Sequence, residues 1–314
     1  MGGISDNIKG ALLMAVSMLA FVLNDTMVKM AADHLSLFQT IFLRGVMTVV
    51  LVGIFAWYKK QLFYRFDRRD WGVVALRLMG EVGATLCFLT ALFNMPLANA
   101  TAIMQALPLA ITLAAAIFLG EPVGWRRYGA ILAGFVGVLV IVRPGAEGFN
   151  DYSLWALGAV FCVVLRDLAT SRLSRNVPSL YVSFLTTIIV TVFGAVMLPT
   201  ESWQPVTTPA LVQLLGAAVF IIFGYQTSIM TMRIGEISFS SPFRYTVLIW
   251  AMLLGIFVFG DIPDVWTIIG SAIVVLAGIY TFYRERQVGR QEIASQEQSP
   301  RPEIDGMIEE EKIS

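Results

Sequence analysis

Residues 128–143 read YGAILAGFVGVLVIVR, and 141 positions later residues 269–284 read IGSAIVVLAGIYTFYR. Gly129 falls on Gly270, Gly137 on Gly278 and Arg143 on Arg284, so the glycine spacing and the closing arginine recur together. Two more matches keep the same order. VLND at 22–25 returns as VLRD at 164–167, an offset of 142, and LGEP at 119–122 is echoed by FGDIP at 259–263. The chain therefore reads as one half written twice, and each half must make the same kind of structure.

What that structure is follows from hydropathy. Of the 314 residues, 57% are hydrophobic and 14% charged, and the mean hydropathy is +0.74, well above the range of water-soluble domains. A helix needs about 20 mostly apolar residues to cross the hydrocarbon of a bilayer. Ten stretches qualify: 8–30, 37–58, 72–94, 97–119, 126–143, 152–171, 180–199, 208–230, 236–260 and 265–283. Each repeat holds five, and because five is odd the second copy enters the membrane from the opposite face. The expected fold is an all-α membrane protein, ten transmembrane helices as two inverted five-helix repeats around a central cavity. The first repeat covers 1–146 and the second 147–284, and the polar segment 285–314, with QEQSPRPE and EEEK, reads as a disordered cytoplasmic tail.

The 22 basic and 22 acidic residues cancel, so the distribution of charge carries the information. With the N-terminus inside, Lys and Arg crowd the cytoplasmic loops and the start of the tail, while Arg143 alone falls in an outer loop. This bias places both termini in the cytoplasm, for a multi-pass protein of the cell inner membrane. Cys87 and Cys162 fall inside spans and read as buried thiols; His34, the only histidine, sits in the first outer loop. No metal site, no catalytic residues and no cofactor are expected from such a set, so the chain does not read as an enzyme. The first apolar stretch lacks a small-residue cleavage pattern and reads as a retained helix. No G-x-x-x-x-G-K-[ST] loop occurs, which argues against direct coupling to ATP.

Charges inside the spans are the candidate functional groups. A charged side chain at the bilayer centre costs at least about 2.5 to 3.5 kcal/mol and normally faces a bundle interior or water. In FVLNDTMVKM, residues 21–30, Asp25 and Lys29 stand at i and i+4 beside Asn24, and Arg77 and Glu81 share that spacing in the third span. Each pair is expected to neutralise itself on one helix face. Lys29 is also placed to snorkel to the outer interface. Arg44 and Arg244 have no helical partner and look to another helix, to carbonyls, to water or to an anionic ligand. In NATAIMQALPLAI, 99–111, Thr101, Gln105 and Pro108 share a face, and at an offset of 140 stand Ser241, Tyr245 and Leu248. The candidate substrate-binding set is thus Asn24, Asp25, Arg44, Arg77, Glu81, Thr101, Gln105, Ser241, Arg244 and Tyr245. Plain helix-to-helix hydrogen bonding by the Thr, Ser and Gln stays open, as does a headgroup position for Asp167 beside Arg166. The Gly-rich spans 126–143 and 265–283 serve either packing within the chain or a homodimer.

Two five-helix repeats, Gln105 and Pro108 in the fourth span, the LGEP ending and the following GAILAGFVGVLVIVRP together resemble the EamA-type transporters of the drug/metabolite transporter superfamily. The resemblance covers residues 8–284. It implies a carrier working by alternating access, with a cavity lined mainly by the first, third, fourth, sixth, eighth and ninth spans. That family includes carriers of amino acids, nucleosides, S-adenosylmethionine and riboflavin, so the fold does not name the substrate. The opening NIKGALLMAVSMLAFVLNDTMVKM, 7–30, is similar to the bacterial riboflavin importers, which implies riboflavin uptake. The alternative is an exporter or exchanger of amino acids, S-adenosylmethionine or other metabolites on the same scaffold. A flavin ring would suit Tyr225, Phe243, Tyr245 and Trp250 with Asn24, Gln105 and Gln226; a sulfonium would look to Asp25 or Glu81. The implied partners are a small molecule and the lipid bilayer, with no nucleic acid.

Overall fold

The computed structural model describes residues 3–297 apart from 62, 65, 121–122, 146–149, 175–176 and 235–236. It is all-helical, with ten helices long and apolar enough to span a membrane. Spans 1 to 5 are Asp6–Ala31, Leu37–Tyr58, Asp70–Asn94, Leu97–Phe118 and Trp125–Val142. Spans 6 to 10 are Tyr152–Ser171, Leu180–Thr200, Thr208–Thr231, Ser241–Phe259 and Val265–Arg284. The chain is a multi-pass membrane protein, and these ranges lie within a few residues of those read from hydropathy. Glu121 and Pro122 of the LGEP motif and residues 298–314 of the tail lie outside the described residues.

One expectation changes at the C-terminus. The last helix continues past span 10 as Val265–Glu297, so residues 285–297 are helical here rather than disordered. Arg284 donates through Nη1 to Gln287 Oε1 at 2.7 Å, and Gln287 Nε2 to the Tyr283 hydroxyl at 2.9 Å. Pairs at this spacing support a helix whose nucleus the membrane segment has already supplied.

The spans pack in a pattern that exchange of the halves leaves unchanged: 1 with 8, 3 with 6, 2 with 7, 5 with 10, and 4 against 9. The directions are given by close contacts. Gly45 and Gly53 of span 2 face Thr191 and Phe184 of span 7, so the two run antiparallel. Gly134 faces Ala277 and Gly137 faces the Gly270 carbonyl, so spans 5 and 10 do the same. A Cβ on Gly270 would stand 2.6 Å from the Gly137 carbonyl oxygen, so only glycine permits this approach. Of the repeated glycines, Gly137 and Gly270 meet in this seam, Gly278 faces the Tyr245 ring of span 9, and a side chain at Gly129 would meet no atom within 4 Å.

Local breaks follow the prolines. Helix Leu97–Met104 stops and Leu107–Phe118 begins because Pro108 lacks an N–H and its ring excludes the carbonyl four residues back, that of Met104. Span 9 opens with the tighter 3-10 turn Ser241–Tyr245, with Pro242 at its start, before Thr246–Leu254. Gly120 and Gly260 follow spans 4 and 9 in the same left-handed backbone, φ 70° and 71°, the conformation glycine adopts without cost. The echo of LGEP in FGDIP is thus a repeated helix stop. Around the crossing of spans 1, 3, 4, 5 and 10 lies an apolar core of Val22, Leu92, Ile103, Val138 and Val274.

Candidate functional site

Two polar clusters stand inside the bundle. In the first, Asn24 of span 1 is 3% exposed. It donates through Nδ2 to Asp25 Oδ1 at 2.8 Å and accepts from Arg44 Nη2 of span 2 at 3.1 Å. A neutral amide thus joins a guanidinium and a carboxylate, giving each charge a hydrogen-bond partner without a direct ion pair.

The second cluster joins spans 3, 6 and 7. Arg166 donates through Nε to Asp167 Oδ1 at 2.8 Å and through Nη1 to Glu81 Oε2 at 3.4 Å. Arg77 donates through Nη1 to Thr186 Oγ1, while its own Nε is buried without a partner. The two clusters are related by the repeat: Asn24 to Arg166, Asp25 to Asp167 and Arg44 to Thr186 all differ by 142 positions. In both, the residue before the aspartate donates to it at 2.8 Å.

Tyr225 of span 8 links the clusters. Its ring meets Phe21 edge-on, centroids 5.3 Å apart. It lies within electrostatic reach of Arg44, Arg77, Glu81 and Arg166, on three other spans and from both clusters. Even so, Tyr225 is 58% exposed.

Several expected pairings do not form. Among the described residues, no ion pair joins Asp25 to Lys29. Lys29 instead donates to the Leu92 carbonyl at 3.2 Å and to that of Met95, with its ammonium 5.3 Å from the Phe259 ring centroid. The last carbonyls of a helix lack intrahelical partners and carry the negative end of its dipole, so they outcompete one carboxylate a turn away. Arg77 and Glu81 stay within electrostatic reach, but each makes its bond to another helix. Arg44, left without a partner by the sequence, finds Asn24.

The remaining candidates divide. Thr101 is buried and its Oγ1 has no partner; Gln105 sits at the break of span 4 and donates through Nε2 to the Thr101 carbonyl at 3.4 Å. Tyr245 is buried with its hydroxyl pressed on Gly278 of span 10, in the packing seam. Ser241 is also buried, whereas Arg244 is exposed and, among the described residues, forms no ion pair. Arg166 and Thr186 were absent from the sequence-derived set. The signal for both was present, since each stands at the repeat offset from a residue already in it. Cys87 and Cys162 are free thiols beside one another between spans 3 and 6. Among the described residues, no three His, Cys, Asp or Glu side chains group as metal ligands would.

Ten spans in two like halves, with paired charges held between helices, define a membrane transporter. The model of the EamA-like transporter family matches residues 8–143 and again 152–283, and the chain belongs to that family. It is a secondary transporter and not an enzyme. The chain is 29% identical to a riboflavin transporter of Vibrio cholerae, over 91% of this chain and 96% of that one. It is 25% identical to an S-adenosylmethionine uptake transporter of Rickettsia bellii, over 87% and 92%, and 25% identical to a pseudopaline exporter of Pseudomonas aeruginosa, over 86% and 94%. A crystal structure at 20% identity shares the fold, with a TM-score of 0.58 over 87% of this chain and 98% of that one.

Proposed function

We propose that this carrier takes riboflavin into the cell across the bacterial inner membrane by alternating access. Its path is a central cavity between inverted repeats 1–146 and 147–284, with both termini cytoplasmic. Tyr225 carries the reading: a phenol within electrostatic reach of charges on spans 2, 3 and 6 that is still 58% exposed borders a hollow rather than lipid. The antiparallel run of the equivalent spans 2 and 7, and of 5 and 10, supports the inversion. Phe21 and Tyr225 offer faces to a flat ring system, and Arg77, with a buried unpartnered Nε, offers donors to its carbonyl oxygens. Asn24, Asp25, Arg44 and Glu81 complete the polar wall, while Thr101, Gln105, Ser241 and Tyr245 shape the helix breaks beside it. The identity to the Vibrio cholerae riboflavin transporter over nearly the full length supports the same choice. A homodimer would use the outer face of span 5, where a side chain added at Gly129 meets no atom within 4 Å.

The test is uptake of radiolabelled riboflavin by cells that cannot synthesise it, with and without this protein. A gain supports the vitamin; no gain removes it and leaves the carrier. One observation favours S-adenosylmethionine as a second reading: among the described residues Asp25 forms no ion pair, its one hydrogen-bond partner being the neutral amide of Asn24, so its carboxylate could serve a sulfonium. Labelled S-adenosylmethionine in the same cells separates the two.

A further inference from the structure

We propose that Lys29 is a latch that closes the carrier at the end of the bundle where spans 1 and 3 terminate. The inference rests on the alternating-access reading and adds the group that holds one state. Span 1 packs along span 8, and span 3 along span 6, but span 1 and span 3 meet only sparsely. Across that divide Lys29 makes the contact: its Nζ donates to the Leu92 carbonyl at 3.2 Å and to the Met95 carbonyl, in the last turn and at the cap of the third-span helix. The same ammonium lies over Phe259, the last residue of span 9, and feels Asp33 and Asp261. One side chain therefore ties three span ends.

The chemistry suits a bond that must break. Terminal carbonyls attract a cation but are satisfied equally by water when it arrives. The released ammonium retains Asp33 and Asp261 as nearby counter-charges.

The opposite end of the bundle supplies the comparison. Arg172, one position past the repeat counterpart of Lys29, follows span 6, and Phe118, one position before the repeat counterpart of Phe259, ends span 4. Arg172 donates through Nη2 to the Phe118 carbonyl at 3.0 Å. A basic residue thus meets a phenylalanine at both ends, over the ring at one and at the backbone carbonyl at the other. At the Lys29 end the cation also crosses to the facing helix pair, whereas the hydrogen bond Arg172 makes stops at span 4. A carrier shut at one end and open at the other would show this difference.

The experiment needs no substrate. Asp25→Cys, one turn below Lys29 on the same face, is placed in a Cys87→Ala, Cys162→Ala background and reconstituted in vesicles of known orientation. A membrane-impermeant maleimide is added on the face where spans 1 and 3 end. With Lys29→Met, labelling should be roughly tenfold faster than with Lys29, and Lys29→Arg, which keeps donors for the carbonyls, should stay near the Lys29 rate. Equal rates for Lys29 and Lys29→Met in protein that elutes as one folded species would overturn the latch. Should the methionine variant not fold, Lys29→Gln is read instead. Because no transport is measured, the outcome is independent of the riboflavin assay.

Discussion

Arg44 gives its Nη2 hydrogen to Asn24 Oδ1, 3.1 Å away, and not to the carboxylate of Asp25 next in sequence. The amide of Asn24 is the hinge of this arrangement, since it donates to Asp25 on its other side. Arg44→Gln should therefore strand Asp25 in the interior. The expected cost is about 3 kcal/mol, that of removing one partner of a buried charge pair. The double variant Arg44→Gln, Asp25→Asn should recover most of it. Thermal unfolding of the four proteins in detergent measures the coupling, and additive losses would show that the two charges do not sense each other.

Arg77 anchors on Thr186 while keeping a buried Nε unpartnered. A substrate contact made by that guanidinium predicts that Arg77→Lys lowers the initial rate of riboflavin uptake at least about tenfold, because an ammonium lacks the planar fork. Thr186→Val, which removes only the anchor and leaves the guanidinium in place beside Glu81, should cost about threefold or less. Uptake measured against concentration at equal membrane expression separates the two. Equal losses would make Arg77 a structural residue.

Two glycines at equivalent positions of the repeats should behave oppositely. Gly270→Ala places a methyl 2.6 Å from the Gly137 carbonyl oxygen and should lower stability by about 2 kcal/mol as spans 5 and 10 are forced apart. Gly129→Ala meets nothing within 4 Å and should stay within about 0.5 kcal/mol of the parent protein. If a homodimer forms through span 5, Gly129→Leu should abolish cross-linking between copies without changing the melting temperature.

Asp264 caps the start of span 10, accepting from the Thr267 backbone N–H at 2.8 Å and from the Arg143 guanidinium. Burial pushes its carboxyl up, but the Thr267 hydrogen bonds and Arg143 outweigh this and hold it below the usual carboxylate range. A depressed carboxyl contributes stability that is complete above its unfolded value, about 3.9, and is lost as pH falls through the lower folded one. The melting temperatures of the parent and of Asp264→Asn should therefore differ by a constant amount from pH 7 to about pH 5 and converge below about pH 4.

The fate of Lys29 shows where the sequence stops. Its spacing from Asp25 is a property of one helix, and i, i+4 residues do share a face. Yet the carbonyls of Leu92 and Met95, which it contacts, belong to a segment more than sixty positions away. Arg166 gives the complementary lesson: VLRD was legible as a copy of VLND, but its bond to Glu81 depends on how span 3 lies against span 6. Likewise, Thr101 of span 4 and Tyr245 of span 9 each stand on the polar face of their own helix, and the tertiary fold buries both, Tyr245 in the seam with Gly278.

By itself, the sequence determined the ten spans, the duplication and the list of charges that the bilayer would not accept alone. Those follow from quantities that are local along the chain: apolar length against membrane thickness, and a pattern that returns after 140 to 142 positions. The partners of those charges were settled by tertiary structure alone. A guanidinium or ammonium on a long side chain selects among all the acceptors within its reach, and which acceptors those are is set by the neighbouring helices and their relative heights.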